Sequence, residues 1–450
     1  MPSSCRAGRT PAAEGDRHWR KAGWPLTGVG SALPERRVFA GWEGDNAARS
    51  VIVVWEANGL RNRVCCRLAA AVAAAGVLVA GCSSAESDSG ATAFGATGQA
   101  QVVEGLNRLI SDDHLPGAQV VVSERGQVWT AHAGFGDIER GTPITDDARI
   151  RIGSNTKPFV ATVMLQLVAE GKAELDAPVE RYLPGLVHGP GIDGNRITMR
   201  NLLQHTSGLP EYAAEFGATP KPGQVDTHAE HVRWGITDIH EVVRNVLTVP
   251  ADFEPGARWA YSNTNYAIVG MVIEKLTGGS LGEEITRRVI EPLGLRDTYY
   301  PDAAETDIRG PHPVGYAVFG GDRVDYTRQN VSVAGAAGAM VSTGADLNRF
   351  FTALMNGELV PPAQLAEMKR TVPLEVSGPP AGYGLGLMQR RLPCGKDSWG
   401  HGGDIDGFET RGGVTEDGRA VTVSINQVPE SAQPAADVMK VVDAALCATS

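Results

Sequence analysis

Apolar runs of bilayer-spanning length are missing from the 450 residues, which excludes a polytopic membrane protein. Cysteine is scarce, with six in the chain, and no Cys-x-x-Cys or zinc-ladder spacing occurs, so neither a disulfide miniprotein nor a zinc module is encoded. Aromatic residues reach only 6%, but a hydrophobic content of 42% suffices for a full core and excludes a disordered chain. Basic residues are also in short supply. The chain has 41 of them against 52 acidic ones, and 11 of the 41 fall in residues 1–81 beside six acidic ones, so the body from Cys82 onward carries a net charge of −16. A body of that sign repels phosphate backbones, so nucleic acid is not expected as a partner. At this length one large domain, or two flanking a cleft, can enclose a pocket.

The N-terminal segment reads as an address. Residues 68–80 form an uncharged run of 13, too short to span a bilayer but of signal-peptide length, and Arg61, Arg63 and Arg67 precede it. The run ends in Val79-Ala80-Gly81-Cys82, which resembles a bacterial lipobox and implies acylation of the Cys82 thiol. The alternative is a buried Ala-rich helix. A Ser/Gly/Ala-rich stretch, 82–98, then reads as a flexible tether with a reach of roughly 20 to 25 Å. Residues 1–60 hold four of the eight tryptophans and no sustained periodicity, and they stand upstream of the signal's charged region. No methionine lies between Met1 and Met164, so translation is expected to start near Val51, Val54 or Val64, leaving 1–60 as a mis-assigned extension. With Cys82 lipidated and upstream cysteines removed, Cys394 and Cys447 have one possible pairing, a disulfide in an oxidising compartment or else two free thiols.

Along the body, 119–122 and 128–133 read as two strands around a polar turn. A helix follows over 154–170, apolar on nearly every side and therefore buried on nearly every side. Residues 172–330 are rich in proline and glycine, with helical patches at 237–247, 263–276 and 282–290, and read as a mostly helical insertion. Strands return at 398–401, 409–413 and 420–425, and a last helix covers 435–446. Strands from both ends of the chain around a helical middle predict an α+β fold, one antiparallel sheet flanked by helices.

Three short motifs carry chemistry. Serine attacks a carbonyl only when a neighbour takes its proton, and Ser-x-x-Lys places an amine on the serine's face of one helical turn. Ser154-Asn155-Thr156-Lys157 is the only such pattern, at the start of the buried helix. The helix N-terminus favours negative charge at Ser154 by about 0.3 to 1 kcal/mol, and burial drives Lys157 toward its neutral form. Tyr261-Ser262-Asn263 is the only Tyr-x-Asn; it stands before another helix, with Ser262 or Asn263 as the cap and Tyr261 able to relay protons. His401-Gly402-Gly403 ends a strand, where glycines let a substrate backbone approach the sheet edge.

With these motifs the chain resembles the penicillin-recognising serine hydrolases, specifically class C β-lactamases and Streptomyces-type D-alanyl-D-alanine carboxypeptidases. The resemblance runs from about Leu115 to Cys447. It includes Leu202-Leu203-Gln204-His205-Thr206-Ser207-Gly208-Leu209, residues 338–346 and 383–387, and the Cys394/Cys447 pair. It implies a β-lactamase/transpeptidase-like fold and an acyl-enzyme on Ser154, with Lys157 and Tyr261 sharing the proton work. Asn263 would hold the substrate's amide side chain, the N–H groups of Ser154 and Asp404 would form the oxyanion hole, and His401 would fill the place of the third motif's basic residue. Substrates would be small molecules or peptidoglycan-type peptides, with no cofactor. In the carboxypeptidase an arginine and two threonines grip the substrate's terminal carboxylate; those places hold Met388, Gly402 and Asp404 here, with Arg390 as a candidate substitute. The resemblance therefore does not carry carboxylate recognition over to this chain, and the pocket equally suits esters, amides or amino-terminal D-residues.

Two other patterns are weaker. Gly278-Gly279-Ser280-Leu281-Gly282 matches a nucleophile elbow but follows a helix instead of a strand, so it reads as a helix C-cap loop. His228 and His231 have metal-binding spacing without a third ligand nearby, so no metal is expected. The rival to an enzyme is a binding lipoprotein of the same fold without turnover.

Overall fold

Valine-rich runs from the two ends of the chain lie side by side. Gly117–Glu124 pairs antiparallel with Gln127–Gly134 on one side and with Ala420–Ile425 on the other, so that Val120 faces both Ala131 and Val423. The sheet continues through Phe408–Thr415, Asp397–Gly400, Met388–Arg391, Ala381–Tyr383 and Val372–Pro373, all antiparallel. The computed structural model describes residues 94–214, 219–374 and 380–448, within the single unit Ser84–Ser450. The extension 1–60, the leader 61–81 and Cys82 lie outside the described residues.

Gly117–Glu124 and Ala420–Ile425 are buried on both faces, which requires a helix layer on each side. One layer is Ala96–Ser111 with Ala432–Cys447, whose Val102, Leu106, Leu109, Val438 and Val442 pack against Val120, Val122 and Val423. The first of these helices corrects the tether 82–98: Phe94 is already buried and the helix begins at Ala96. The i, i+4, i+7 spacing of Val102, Leu106 and Leu109 is its signal, and the composition of the preceding stretch obscured it.

The opposite layer contains Gly344–Met355 and the expected buried helix, Thr156–Ala169, entered through one turn of 3₁₀ helix at Gly153–Asn155. Eleven of its fourteen residues are buried, and Phe159 stacks on Phe350 at 3.7 Å. A helix apolar all round has no solvent face, so its start is fixed by packing from several directions.

The insertion 172–330 is less helical than its composition suggested. Its longer helices are Ile239–Val246 and Asn263–Thr277, followed by Leu281–Ile285, which continues through a π-helical turn into Glu291–Leu293. Two small hairpins also occur, His188–Gly189 with Ile192–Asp193 and Tyr316–Phe319 with Asp322–Asp325. Gly278 caps its helix at φ +75°, and Ser280 opens the next with a capping box to Glu283, so the elbow-like sequence joins two helices. Cys394 and Cys447 are disulfide-bonded, tying the last helix to the turn before Asp397–Gly400. For a sequence separation of 53 the loop-entropy model gives about 4 kcal/mol.

Candidate active site

The 3₁₀ turn sets Ser154 at the mouth of the buried helix, and Lys157 follows on the same face, fully buried. Lys157 Nζ lies 3.0 Å from Ser154 Oγ, 2.7 Å from Asn263 Oδ1 and 2.7 Å from the Ala337 carbonyl. Tyr261 donates its hydroxyl proton to Ser154 Oγ at 2.8 Å. Burial lowers the Lys157 ammonium from its usual range to about 7 against the opposing pull of Glu211 and Asp404. A neutral amine has two N–H groups and one lone pair. Asn263 and Ala337 use the two protons, so the lone pair is left facing Ser154. Burial pushes the Tyr261 phenol well above its ordinary value, so it stays protonated and can donate.

Asn263 begins the helix Asn263–Thr277, where Ser262 is the N-cap but makes no side-chain capping bond; its hydroxyl donates to the Pro210 carbonyl instead. The cap arrives from elsewhere in the chain. The Glu211 carboxylate accepts from the Asn263 N–H at 2.6 Å and from the Ala213 N–H at 2.8 Å, a favourable place for negative charge. Burial raises Glu211 above its ordinary range. Sequence reasoning missed Glu211, since it lies 52 residues from Asn263 with no local pattern linking them.

His205, within the 202–209 segment, also has no role that its sequence neighbours reveal. Its ring lies 4.3 Å from that of Tyr261 and forms a buried platform beneath it. Its Nδ1 accepts from the Ser262 N–H at 3.3 Å and faces the Asn265 amide nitrogen at 3.1 Å. Burial holds the imidazole neutral.

His401 stands in the wall of the site. The strand that pairs with Phe408–Thr415 is interrupted at His401 and Gly402, with Asp397–Gly400 before the break and Gly403–Ile405 after it. His401 Nε2 lies 3.0 Å from the hydroxyl of Tyr383, a third residue whose role the sequence does not reveal. Burial drives His401 down to about 3, so the imidazole is neutral at physiological pH and supplies no cation.

Gly403 cannot be another residue without a shift, because an added Cβ would stand 1.9 Å from the Ile152 carbonyl oxygen. Gly153, at φ +48°, would meet the Asp404 backbone within 2.6 to 2.8 Å. These two approaches bring the backbone of Asp404 against the turn that carries Ser154. The Asp404 side chain is half exposed and pairs with Arg411 at 2.7 Å. Arg390 does not serve as a carboxylate grip: it is bound to Asp443 of the C-terminal helix at 2.5 Å. His228 pairs with Asp406 at 3.2 Å, and the described residues hold no cluster of three or more metal-ligating side chains.

Ser154, Asn263 and Asp404 open into a cavity of about 580 Å³, whose far walls include Tyr212, Val333 and the Tyr316–Val318 edge. A volume of this size takes a small molecule or a short peptide.

Comparison with known proteins agrees with this layout. A D-stereospecific amidohydrolase from Streptomyces sp. superposes with a TM-score of 0.69 at 38% identity, over 78% of this chain and 99% of that one. A D-amino acid amidase from Ochrobactrum anthropi SV3, complexed with L-phenylalanine amide, gives 0.65 at 27% identity over 77% and 98%. Esterase EstB from Burkholderia gladioli is 34% identical over 222 residues, 47% of this chain and 53% of that protein, so the chain spans about half of that relative's length. The Beta-lactamase family model matches residues 96–445, from the first described helix nearly to the disulfide, and the chain therefore belongs to the beta-lactamase family, as a serine hydrolase of the penicillin-binding-like fold.

Proposed function

We propose that the chain cleaves an amide or ester bond through an acyl-enzyme on Ser154, and that it prefers D-configured substrates lacking a free terminal carboxylate. The observation that carries the catalytic part is the hydrogen-bond set at Ser154: a phenol donating to the oxygen at 2.8 Å, and 3.0 Å away the Lys157 nitrogen, which in its neutral form can accept the proton. Ser154 Oγ attacks the carbonyl as its proton passes to Lys157 Nζ. The N–H groups of Ser154 and Asp404 stabilise the oxyanion, a contribution typically worth about 10² to 10³ in rate. Tyr261 donates a proton to the leaving nitrogen or oxygen and recovers one by way of Lys157. Water then attacks the acyl-enzyme by the reverse relay. Asn263 positions the Lys157 amine and lines the substrate cavity.

The substrate class is supported by charge. Asp404 faces the cavity as an acid where a carboxypeptidase needs to attract a carboxylate, and Arg390 is committed to Asp443. An amino group is the better electrostatic match to Asp404, which lines the cavity. The D-preference is drawn from the two amidohydrolase relatives. A panel tests this reading: D- and L-phenylalanine amides, acetyl-D-Ala-D-Ala, nitrocefin and p-nitrophenyl esters. The D-amide is expected to exceed the L-amide and the free-acid peptide by at least tenfold in kcat/KM; a higher value for the free-acid peptide contradicts it. We also propose that the body is exported and anchored to the outer face of the cell membrane by a lipid on Cys82, a reading supported by the lipobox-like sequence and compatible with the Cys394–Cys447 disulfide.

A further inference from the structure

A guanidinium stands behind the cavity-facing strand Gly403–Ile405. Arg411 lies on the adjacent strand, one residue past Thr410, which pairs with Gly403. Its Nη1 is 2.7 Å from Asp404 Oδ1, and its Nη2 is 3.2 Å from Glu409 Oε2. A Cβ added to Gly402 would stand 3.0 Å from Nη1, so only a glycine's width separates the guanidinium from the front of the break. Its charge acts on both Tyr261 and His401, which places it within electrostatic reach of the reacting groups.

The two acids are not equivalent. Glu409 is 2% exposed and cannot give way to a ligand, and its Oε1 is buried without a hydrogen-bond partner. The Asp404 side chain is 53% exposed and lines the cavity. Burial raises Glu409 to about 8, so near neutral pH the Arg411 charge is balanced chiefly by Asp404.

We infer that Asp404 is a built-in anionic plug on Arg411, and that this pair is the element that turns carboxylate-bearing substrates away. With the plug charged, an incoming carboxylate meets a like charge and finds the guanidinium already occupied. Without it, Arg411 offers a planar, permanently charged fork beside Gly402, suited to a carboxylate. The inference deepens the proposed preference for substrates without a terminal carboxylate and rests on that reading.

Binding in the absence of turnover separates the two claims. In a Ser154→Ala background, acetyl-D-Ala-D-Ala and its C-terminal amide are titrated by calorimetry, alone and with Asp404→Asn. The charge-neutral variant is expected to shift the acid-to-amide affinity ratio at least tenfold toward the acid. Adding Arg411→Gln is expected to return the ratio to its starting value. Asp404→Ser serves as a second neutral variant, and thermal unfolding reports the fold of each. A ratio that moves less than twofold in both neutral variants overturns the inference, as does a gain that survives Arg411→Gln or an acid that binds neither neutral variant. Loss of covalent labelling at Ser154 in the otherwise wild-type chain would instead overturn the proposed reaction.

Discussion

At the scale of single residues, the site depends on keeping one lysine uncharged. Lys157 has no solvent contact, and burial lowers its proton affinity to about 7. The folded state therefore binds fewer protons than the unfolded state between about pH 7 and 10.5, so the Lys157 contribution to stability rises with pH across that window. Below pH 7 the ammonium is buried at full cost. Lys157→Met is expected to be more stable than wild type at pH 6, by on the order of 2 to 5 kcal/mol, and to lose that advantage toward pH 10. Urea unfolding at pH 6, 8 and 9.5 measures it, and an advantage independent of pH contradicts the assignment. The same substitution should lower acylation by about 10² to 10⁴.

Legibility was also decided residue by residue. Ser154 and Lys157 could be read because one helical turn joins them, and Tyr261 with Asn263 because a helix start does. Glu211, His205, Tyr383 and the Ala337 carbonyl reach the same hollow through tertiary packing, across 18 to 180 residues of sequence. His401 was legible in place but not in state, because its neutrality comes from burial that the sequence does not display.

At the scale of elements, the break in the strand at His401-Gly402 and the 3₁₀ turn at Gly153–Asn155 are made for each other. The contact is backbone on backbone, so glycine is required by space at Gly403 and by both space and φ at Gly153. Gly403→Ala is expected to destabilise by about 1 to 3 kcal/mol and to slow acylation by moving the Asp404 N–H away from Ser154. Gly402→Ala is the comparison: its Cβ meets side chain and not backbone, the Arg411 Nη1, Cδ and Cζ at 3.0 to 3.4 Å, so a smaller effect is expected. Chemical denaturation and labelling rates compare the two, and equal effects refute the argument. Strand positions were well marked by valine runs, and Ala420–Ile425 was read to its ends. The hairpin Tyr316–Phe319 with Asp322–Asp325 was hidden because its few apolar positions sit in a segment rich in glycine and proline. The helix Ala96–Ser111 was hidden by the small, polar residues that precede its amphipathic stripe.

At the scale of the whole molecule, strands near residues 120 and 420 lie side by side in one sheet, and the candidate site forms where the insertion folds back on it. The disulfide closes this arrangement by holding the last helix to the sheet. The family match covers residues 96–445, which include every residue named in the candidate site. Cys82→Ser is expected to move the protein from the membrane fraction to the soluble fraction and to abolish palmitate incorporation, with Ser154 labelling unchanged. Membrane retention of that variant contradicts the lipid anchor.

The central claim is that a neutral Lys157 amine and the Tyr261 phenol make Ser154 the nucleophile. Labelling with a fluorophosphonate, followed by peptide mapping in a mass spectrometer across pH 5 to 9, addresses it directly. The account predicts a single adduct on Ser154, absent from Ser154→Ala, whose formation rate climbs through about pH 7 as Lys157 loses its proton. An adduct on another residue, equal labelling of Ser154→Ala, or a rate indifferent to pH would contradict it.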